Sequence, residues 1–300
     1  MTNSAPRHTP RVAANPIPYW SRGGVTDKSP AVFEEAFRDF QRIGFTAVKA
    51  DIPEGMTADS YLEWISGYGL APALSLFSSP FDATVDIADV LEAAKKFGAD
   101  QASLGQDRAM ISSMAIPERM TRPAVGAAFD ADRLELAIEN AGAACAVLIA
   151  EGIKPLHHSH IGGVFETEFE ITSLLDTLGP DLIGFGPDTG HLRWAGIDPV
   201  AMIERYADRI GGIHIKDVYA DHLDLDGSAV LSYREAAASK RLWAEPGRGI
   251  LDFAAIVAAI PADYDGDFMI EVDEPSVDSV YESHRISFEW ARSALPVAHN

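Results

Sequence analysis

Short apolar runs alternate along the chain with longer stretches whose apolar positions recur every three or four residues. The first pattern suits strands buried on both faces, and the second suits helices packed on them along one stripe. Arg11–Ile17 predicts a first strand, after which Ser29 as N-cap and Pro30 in the first turn open a helix to Ile43. Gly44–Ala50 and Leu70–Phe77 read as strands two and three. Helices Thr57–Tyr68 and Asp82–Phe97 follow them, the second closed by Gly98. Ala99–Leu104 reads as a short fourth strand. Periodicity is then lost from Gly105 to Ala127, a connection long enough to suggest a functional one.

The rhythm resumes with an alanine-rich helix, Phe129–Glu151, and a fifth strand, Gly152–His158. Glu166–Leu178 is helical, with acids in its first turn where the helix dipole favours them. Asp181–Gly186, Gly211–Lys216 and Asp267–Val272 supply strands six to eight, and Asp198–Arg209, Leu251–Ile260 and Ser276–Leu295 the helices between and after them. A second long connection, Asp217–Gly249, carries a helical piece over Tyr233–Lys240. Eight such alternations predict an α/β fold, a (β/α)8 TIM barrel in a single domain. A doubly wound sheet would show a glycine-rich phosphate loop after its first strand, and neither G-x-G-x-x-G nor a P-loop is present. Residues 1–10 are polar and read as a tail, with the barrel domain over 11–300.

Composition changes this picture only by exclusion. The formal charge of −21, with 45 acids against 24 bases, disfavours nucleic acid and anionic membranes as partners. A single cysteine, Cys145, rules out an intrachain disulfide and a cysteine zinc cluster, and its alanine-rich surroundings mark it as a core residue. With no long apolar span and no signal-peptide core, the expected location is the cytoplasm. A homo-oligomer is left open, with the two long connections as lids or contacts.

Chemistry concentrates where the later strands end, the face on which barrels of this kind carry their sites. Alternation puts His158 and His160 on one face of strand five, with His157 behind. Asp188 and His191 follow strand six, His214 and Lys216 share a face of strand seven, and Glu271 and Asp273 one of strand eight. Alone, Asp188 would cap a turn and His214 would be an ordinary core histidine. A charged or imidazole side chain inside a barrel is costly unless paired or metal-bound, and four adjacent strands each supply one. His158, Asp188, His214 and Glu271 thus form a nitrogen–oxygen set for one divalent ion, Mn²⁺ or Co²⁺ first, with Mg²⁺, Fe²⁺ and Zn²⁺ as alternatives. Six of the nine histidines lie between 157 and 222. Within that span His222 reads as solvated, and the other three, His8, His284 and His299, read as surface residues.

Asn15-Pro16-Ile17, His157-His158-Ser159-His160-Ile161-Gly162, Glu166-Thr167, Asp188-Thr189-Gly190-His191, His214-Ile215-Lys216-Asp217-Val218, Pro246-Gly247-Arg248-Gly249 and Ile270-Glu271 together resemble the xylose-isomerase-like TIM barrels. Within that sugar phosphate isomerase/epimerase superfamily the chain is most similar to the inosose dehydratases. The resemblance implies metal ligands at His158, Asp188, His214 and Glu271, with histidine at 158 where isomerases and epimerases place glutamate. Ser159 departs from the usual histidine run of inosose dehydratases, as does the sequel Asp273-Glu274-Pro275-Ser276.

With one of two metal-bound glutamates missing, β-elimination from a keto-cyclitol or keto-sugar is expected ahead of two-base epimerisation. The expected roles are His160 as base or acid, Lys216 against developing oxyanion charge, and His191 as second acid or hydroxyl contact. Trp20, Lys49 and Arg248 are candidates for contacts to a small polyol or sugar substrate. Keto-sugar isomerisation or epimerisation is the runner-up, and a non-catalytic sugar-binding barrel is the reading from another class. The superfamily's apurinic endonucleases are disfavoured by the acidic charge.

Overall fold

The computed structural model describes residues 9–21, 25–223 and 231–297. Most of the expected tail, with His8, lies outside the described residues, as do His299 and residues 224–230 of the second long connection.

Parallel strands form a closed ring. Strands β1 (Val12–Ala14), β2 (Ala47–Lys49) and β3 (Ala71–Ala73) lie side by side, and β4 (Leu76–Ser79) continues the line of β3 after a two-residue break. From β4 the order runs through β5 (Arg108–Ser113), β6 (Lys154–His158) and β7 (Gly184–Gly186). Single bridges, Phe185 to Ile210 and Asp188 to His214, join β7 to β8 (Ile213–Ile215). A short antiparallel pair, β9 (Asp217–Val218) and β10 (Trp243–Ala244), stands on this edge, and β11 (Phe268–Ile270) pairs with both β8 and β1 to close the barrel. The expected (β/α)8 architecture is thus present.

Inside the barrel a floor of Ala13, Ala47, Ala73, Leu74, Met110, Leu156 and Met269 fills the lower layers. It closes against bare backbone on one side. A Cβ on Gly186 would stand 2.2 Å from Met110 Sδ, one on Gly184 2.6 Å from Leu156, and one on Gly212 2.1 Å from Leu74. Outside the ring, helices α2 (Pro30–Ile43) and α3 (Ala58–Ser66) cover the early strands through Phe33, Phe37, Phe40, Tyr61 and Ile65. Helices α4 (Ile87–Ser103), α6 (Ala131–Ala150) and α7 (Glu168–Leu182) cover β4–β7. No described helix is long and apolar enough to cross a membrane.

Four expectations need correction. The fourth strand is Arg108–Ser113, and Ala99–Leu104 belongs to α4 and its cap. Gly98 does not end that helix: it sits within it, where a Cβ would come 2.9 Å from Glu151 Cβ, so the glycine admits the neighbouring α6 chain. Strand one stops at Ala14, because Pro16 and Pro18 turn the chain into a short helix, α1 (Ile17–Trp20). His284 is buried, not superficial. Its ring nitrogens lie 3.0 Å from the Val280 carbonyl and 3.1 Å from the Asn15 carbonyl, among Tyr19, Phe40 and Phe45. Cys145 is buried as expected, and burial pushes its thiol up to about 12.

Candidate active site

The strand ends deliver their polar residues to one mouth. Alternation along β6 sends Leu156 to the floor, His158 inward above it and His157 outward, where its ring meets Phe165 edge-on. The same count places His214 and Lys216 above Gly212 on β8, and Glu271 and Asp273 above Met269 on β11.

At the lower level stand His158, Asp188, His214 and Glu271, all buried. Ligand atoms of His158, Asp188 and His214 lie within 4.8 Å of one another. Asp188 commits Oδ1 to the backbone N–H groups of Gly190 and His191, both at 2.9 Å, capping helix α8 (Thr189–Trp194). Its Oδ2 is left without a hydrogen-bond partner, as are His158 Nδ1 and both ring nitrogens of His214. His214 Nδ1 does stand 2.7 Å from Glu271 Oε2, but without hydrogen-bond alignment. Buried groups of this kind cost stability unless something binds them. The donor atoms of His158, Asp188 and His214 fit a divalent ion, while Glu271 comes within the same span of Asp188 and His191.

Above this level Lys216 is the hub. Its Nζ lies 2.7 Å from Glu271 Oε1, 3.4 Å from Asp188 Oδ2, 3.1 Å from both oxygens of Asp273 and 3.0 Å from His191 Nε2. Its stem passes Trp243, with Nζ 4.7 Å from the ring centre. The His160 and His191 ring centres are 4.0 Å apart, and His160 stacks on Tyr233 of α10 (Tyr233–Ala238). Tyr233 in turn bonds Asp273 at 3.2 Å.

These contacts set the protonation states. Burial holds His158 well below the usual imidazole range, reinforced by His214. His160 is lowered to about 4 by burial and by Lys216. His191 falls well below its ordinary value through burial, His160 and Lys216. Burial works against the Lys216 ammonium, but Asp188, Asp273 and Glu271 outweigh it and raise its pKa. Burial raises Asp188 and lifts Asp273 to about 7, whereas Lys216 and His214 overcome burial at Glu271 and depress it. Neutral imidazoles, a fixed ammonium and a carboxyl poised near neutrality therefore share one pocket.

Long-range staples hold the loops that carry them. Glu166 accepts the backbone N–H groups of Gly162 at 2.8 Å, Gly126 at 2.9 Å and Ala124 at 3.4 Å. Buried Arg119, on α5 (Pro117–Thr121), donates to the carbonyls of Gly163, Val164 and Ala127 and to both carboxylate oxygens of Glu170. The connection after β5 is thereby fastened to the loop bearing His160. Helix α5 also contacts α10, so both long connections meet over this mouth.

The structure brings together His158, His160, Asp188, His191, His214, Lys216 and Glu271. Lys49 ends β2 but is paired with Asp51 at 2.5 Å. Trp20 does not end a strand: it is buried on α1 between Lys28 Nζ at 4.4 Å and Lys49 Nζ at 5.6 Å. Arg248 is exposed, with Glu282 of α12 (Val280–Ala294) for a neighbour, and is not brought into the cluster. Three residues enter without having been given a role. Asn15 Nδ2 stands 2.5 Å from Glu271 Oε2, and Asp273 and Tyr233 flank Lys216. Position on an inward face gives away the first two, whereas Tyr233 comes from a connection without periodicity.

Residues 37–294 match the family model of the xylose isomerase-like TIM barrel. The chain belongs to that family. Among its curated relatives is the inosose dehydratase of Geobacillus kaustophilus, 38% identical over 141 residues, 46% of either chain. That of Lacticaseibacillus casei is 36% identical over 124 residues, 41% of either chain. The match thus spans about half the length of these relatives or less. Solved structures of the same fold include the probable 3-DHS dehydratase AsbF of Bacillus anthracis, with TM-score 0.68, 11% identity and coverage of 94% of this chain and 98% of that one. The IolI protein with a binding zinc atom has TM-score 0.69, 12% identity and coverage of 95% and 98%. D-allulose 3-epimerase of Methylomonas sp. in complex with D-allulose has TM-score 0.70, 16% identity and coverage of 96% and 98%. At such identities these neighbours speak for the family's fold alone.

Proposed function

We propose that this chain is a divalent-metal-dependent lyase that eliminates water, or another β-leaving group, from a keto-cyclitol or keto-sugar. The observation that carries this is the set of buried ligand atoms on His158, Asp188 and His214 that make no hydrogen bond, directly beneath a layer of proton-handling groups. The dehydratase names of the curated relatives support the same reaction class, and the zinc named for the IolI neighbour supports a metal. Mn²⁺ or Co²⁺ is the ion we favour for a mixed nitrogen–oxygen set.

When bound, the ion would polarise a substrate carbonyl and acidify the adjacent C–H. His158, Asp188, His214 and Glu271 would hold it. The chain's own groups then divide the work. His160 Nδ1 lies 2.6 Å from the Ile161 carbonyl, which fixes the proton there and leaves Nε2 with its lone pair as the base. His191 Nε2 meets Lys216 at 3.0 Å, and accepting from that ammonium puts the ring's one proton on Nδ1, so it positions Lys216 better than it donates a proton. The Lys216–Asp273 pair, ammonium on carboxylate, takes over as the acid for the departing oxygen. Lys216 faces the negative charge that develops on the carbonyl oxygen. The α carbon loses its proton to His160, the β C–O bond breaks, and the oxygen leaves with a proton from the Lys216–Asp273 pair, giving an unsaturated ketone and water.

The test is incubation with Mn²⁺ or Co²⁺ and, separately, inosose, 3-keto-glucosides and free ketohexoses, with products followed by NMR in D₂O. An unsaturated or diketone product supports elimination. Deuterium exchange and epimer formation without loss of a leaving group would overturn it in favour of isomerisation. Asp188→Asn with His214→Ala should abolish metal binding in a folded protein, and full occupancy there would sink the ligand assignment.

A further inference from the structure

Each carboxylate of the lower level keeps one oxygen for an outside partner, and Lys216 lies on both. Asp188 has spent Oδ1 on Gly190 and His191, so that Oδ2, 3.4 Å from Lys216 Nζ, is what remains for a metal. Glu271 has Asn15 and His214 against Oε2, and its Oε1 lies 2.7 Å from the same ammonium. Two buried carboxylates and a partly buried third would be costly without a cation, and this one is built into the chain. The Lys216 backbone is fixed at both ends of its peptide, with its N–H donating to Thr189 Oγ1 at 3.0 Å and its carbonyl accepting from that hydroxyl at 2.7 Å. Its flexible stem lies on Gly190, where a Cβ would crowd Lys216 Cγ at 2.7 Å. Asp273 is already in contact at 3.1 Å through both oxygens, and His191 Nε2 at 3.0 Å, so a second resting place is within a short swing.

We propose that Lys216 is a resident cation that competes with the divalent ion for Asp188 and Glu271, and that loading the metal moves its ammonium onto Asp273 and His191. This rests on the metal reading given above but not on the reaction class. It assigns Lys216 a task before catalysis: it keeps the cluster neutralised while no metal is bound, and it sets how tightly a metal must bind to enter. Asp273 becomes the berth that makes its departure possible.

Calorimetric titration with Mn²⁺ alone tests this in the full chain and in Lys216→Met, Asp273→Asn and the double variant. Removing the competing charge should tighten binding in Lys216→Met by about tenfold or more, because like charges at such separations interact strongly when buried. Asp273→Asn should weaken binding, since the ammonium loses its berth, and that loss should shrink in the Lys216→Met background. Equal or weaker binding by Lys216→Met, or an Asp273→Asn loss of the same size in both backgrounds, overturns the proposal. Should Lys216→Met fail to fold, crystals of the wild-type protein with and without Mn²⁺ decide. Nζ should leave hydrogen-bond reach of Glu271 Oε1 when the ion is present, and an unmoved Nζ overturns the competition. A wild-type chain that binds no divalent ion overturns the metal reading itself, and this inference with it.

Discussion

Asn15 and Glu271 join the first strand of the barrel to the last, with the amide Nδ2 standing 2.5 Å from carboxylate Oε2. The amide leaves Glu271 its other oxygen and holds the carboxylate plane beside His214. Asn15→Ala should therefore loosen Mn²⁺ binding by ten- to hundredfold, the equivalent of about 1.5–3 kcal/mol for a hydrogen bond to a charged group. Calorimetric titration of the folded variant checks it. An unchanged affinity would mean that His214 and Lys216 suffice to orient Glu271.

Glu166 fastens two loops with one carboxylate. Glu166→Gln places an NH₂ against backbone N–H groups and should cost about 1–3 kcal/mol in urea unfolding. Hydrogen exchange should accelerate together over residues 114–128 and 159–166, leaving the barrel strands protected. Faster exchange in one segment only would show that the staple does not couple them.

Gly98 is the counterexample to a general rule. Replacing a helix-interior glycine by alanine ordinarily gains up to about 1 kcal/mol. Here the new methyl would come 2.9 Å from Glu151 Cβ, and overpacking typically costs about 1–3 kcal/mol. Gly98→Ala should lower the unfolding midpoint, and a higher midpoint would mean that α4 and α6 part without strain.

That glycine also marks where the sequence was hard to read. A glycine after an amphipathic stretch looks the same whether it ends a helix or admits a neighbour, and only the packed partner distinguishes the two. A helix taken to end at Gly98 leaves its last turn, Ala99–Leu104, to read as a strand. The true strand, Arg-Ala-Met-Ile-Ser-Ser, carries too few β-branched residues to announce itself. The cluster was legible for the opposite reason. Period-two alternation at strand ends is a local property, so His158, His214 and Glu271 could be placed on inward faces before any contact was known. Tyr233 could not, since it reaches Asp273 from a connection whose course is set by tertiary packing.

His284 gives the protein a pH dependence of its own, outside the charged cluster at the mouth. Burial lowers its pKa, opposed by the Val280 and Asn15 carbonyls, so the fold prefers the neutral ring. Its contribution to stability is present above the ordinary value near 6.5 and is lost as pH falls from there through the folded value. One such group changes stability by at most about 1.4 kcal/mol per pH unit. His284→Phe should flatten the unfolding free energy between pH 7 and pH 5 relative to wild type, as measured by urea titration at each pH. An unchanged slope would assign the dependence to other groups.

The glycine-backed floor bears on how this barrel can change. Leu74, Met110 and Leu156 each occupy room that exists because Gly212, Gly186 and Gly184 lack side chains. A residue gained on one wall must be matched by one lost from the other, so single steps in either direction meet a penalty that a paired step avoids. Change in the floor should therefore come as compensated exchange between strands, as for Leu156 and its register partner Gly184.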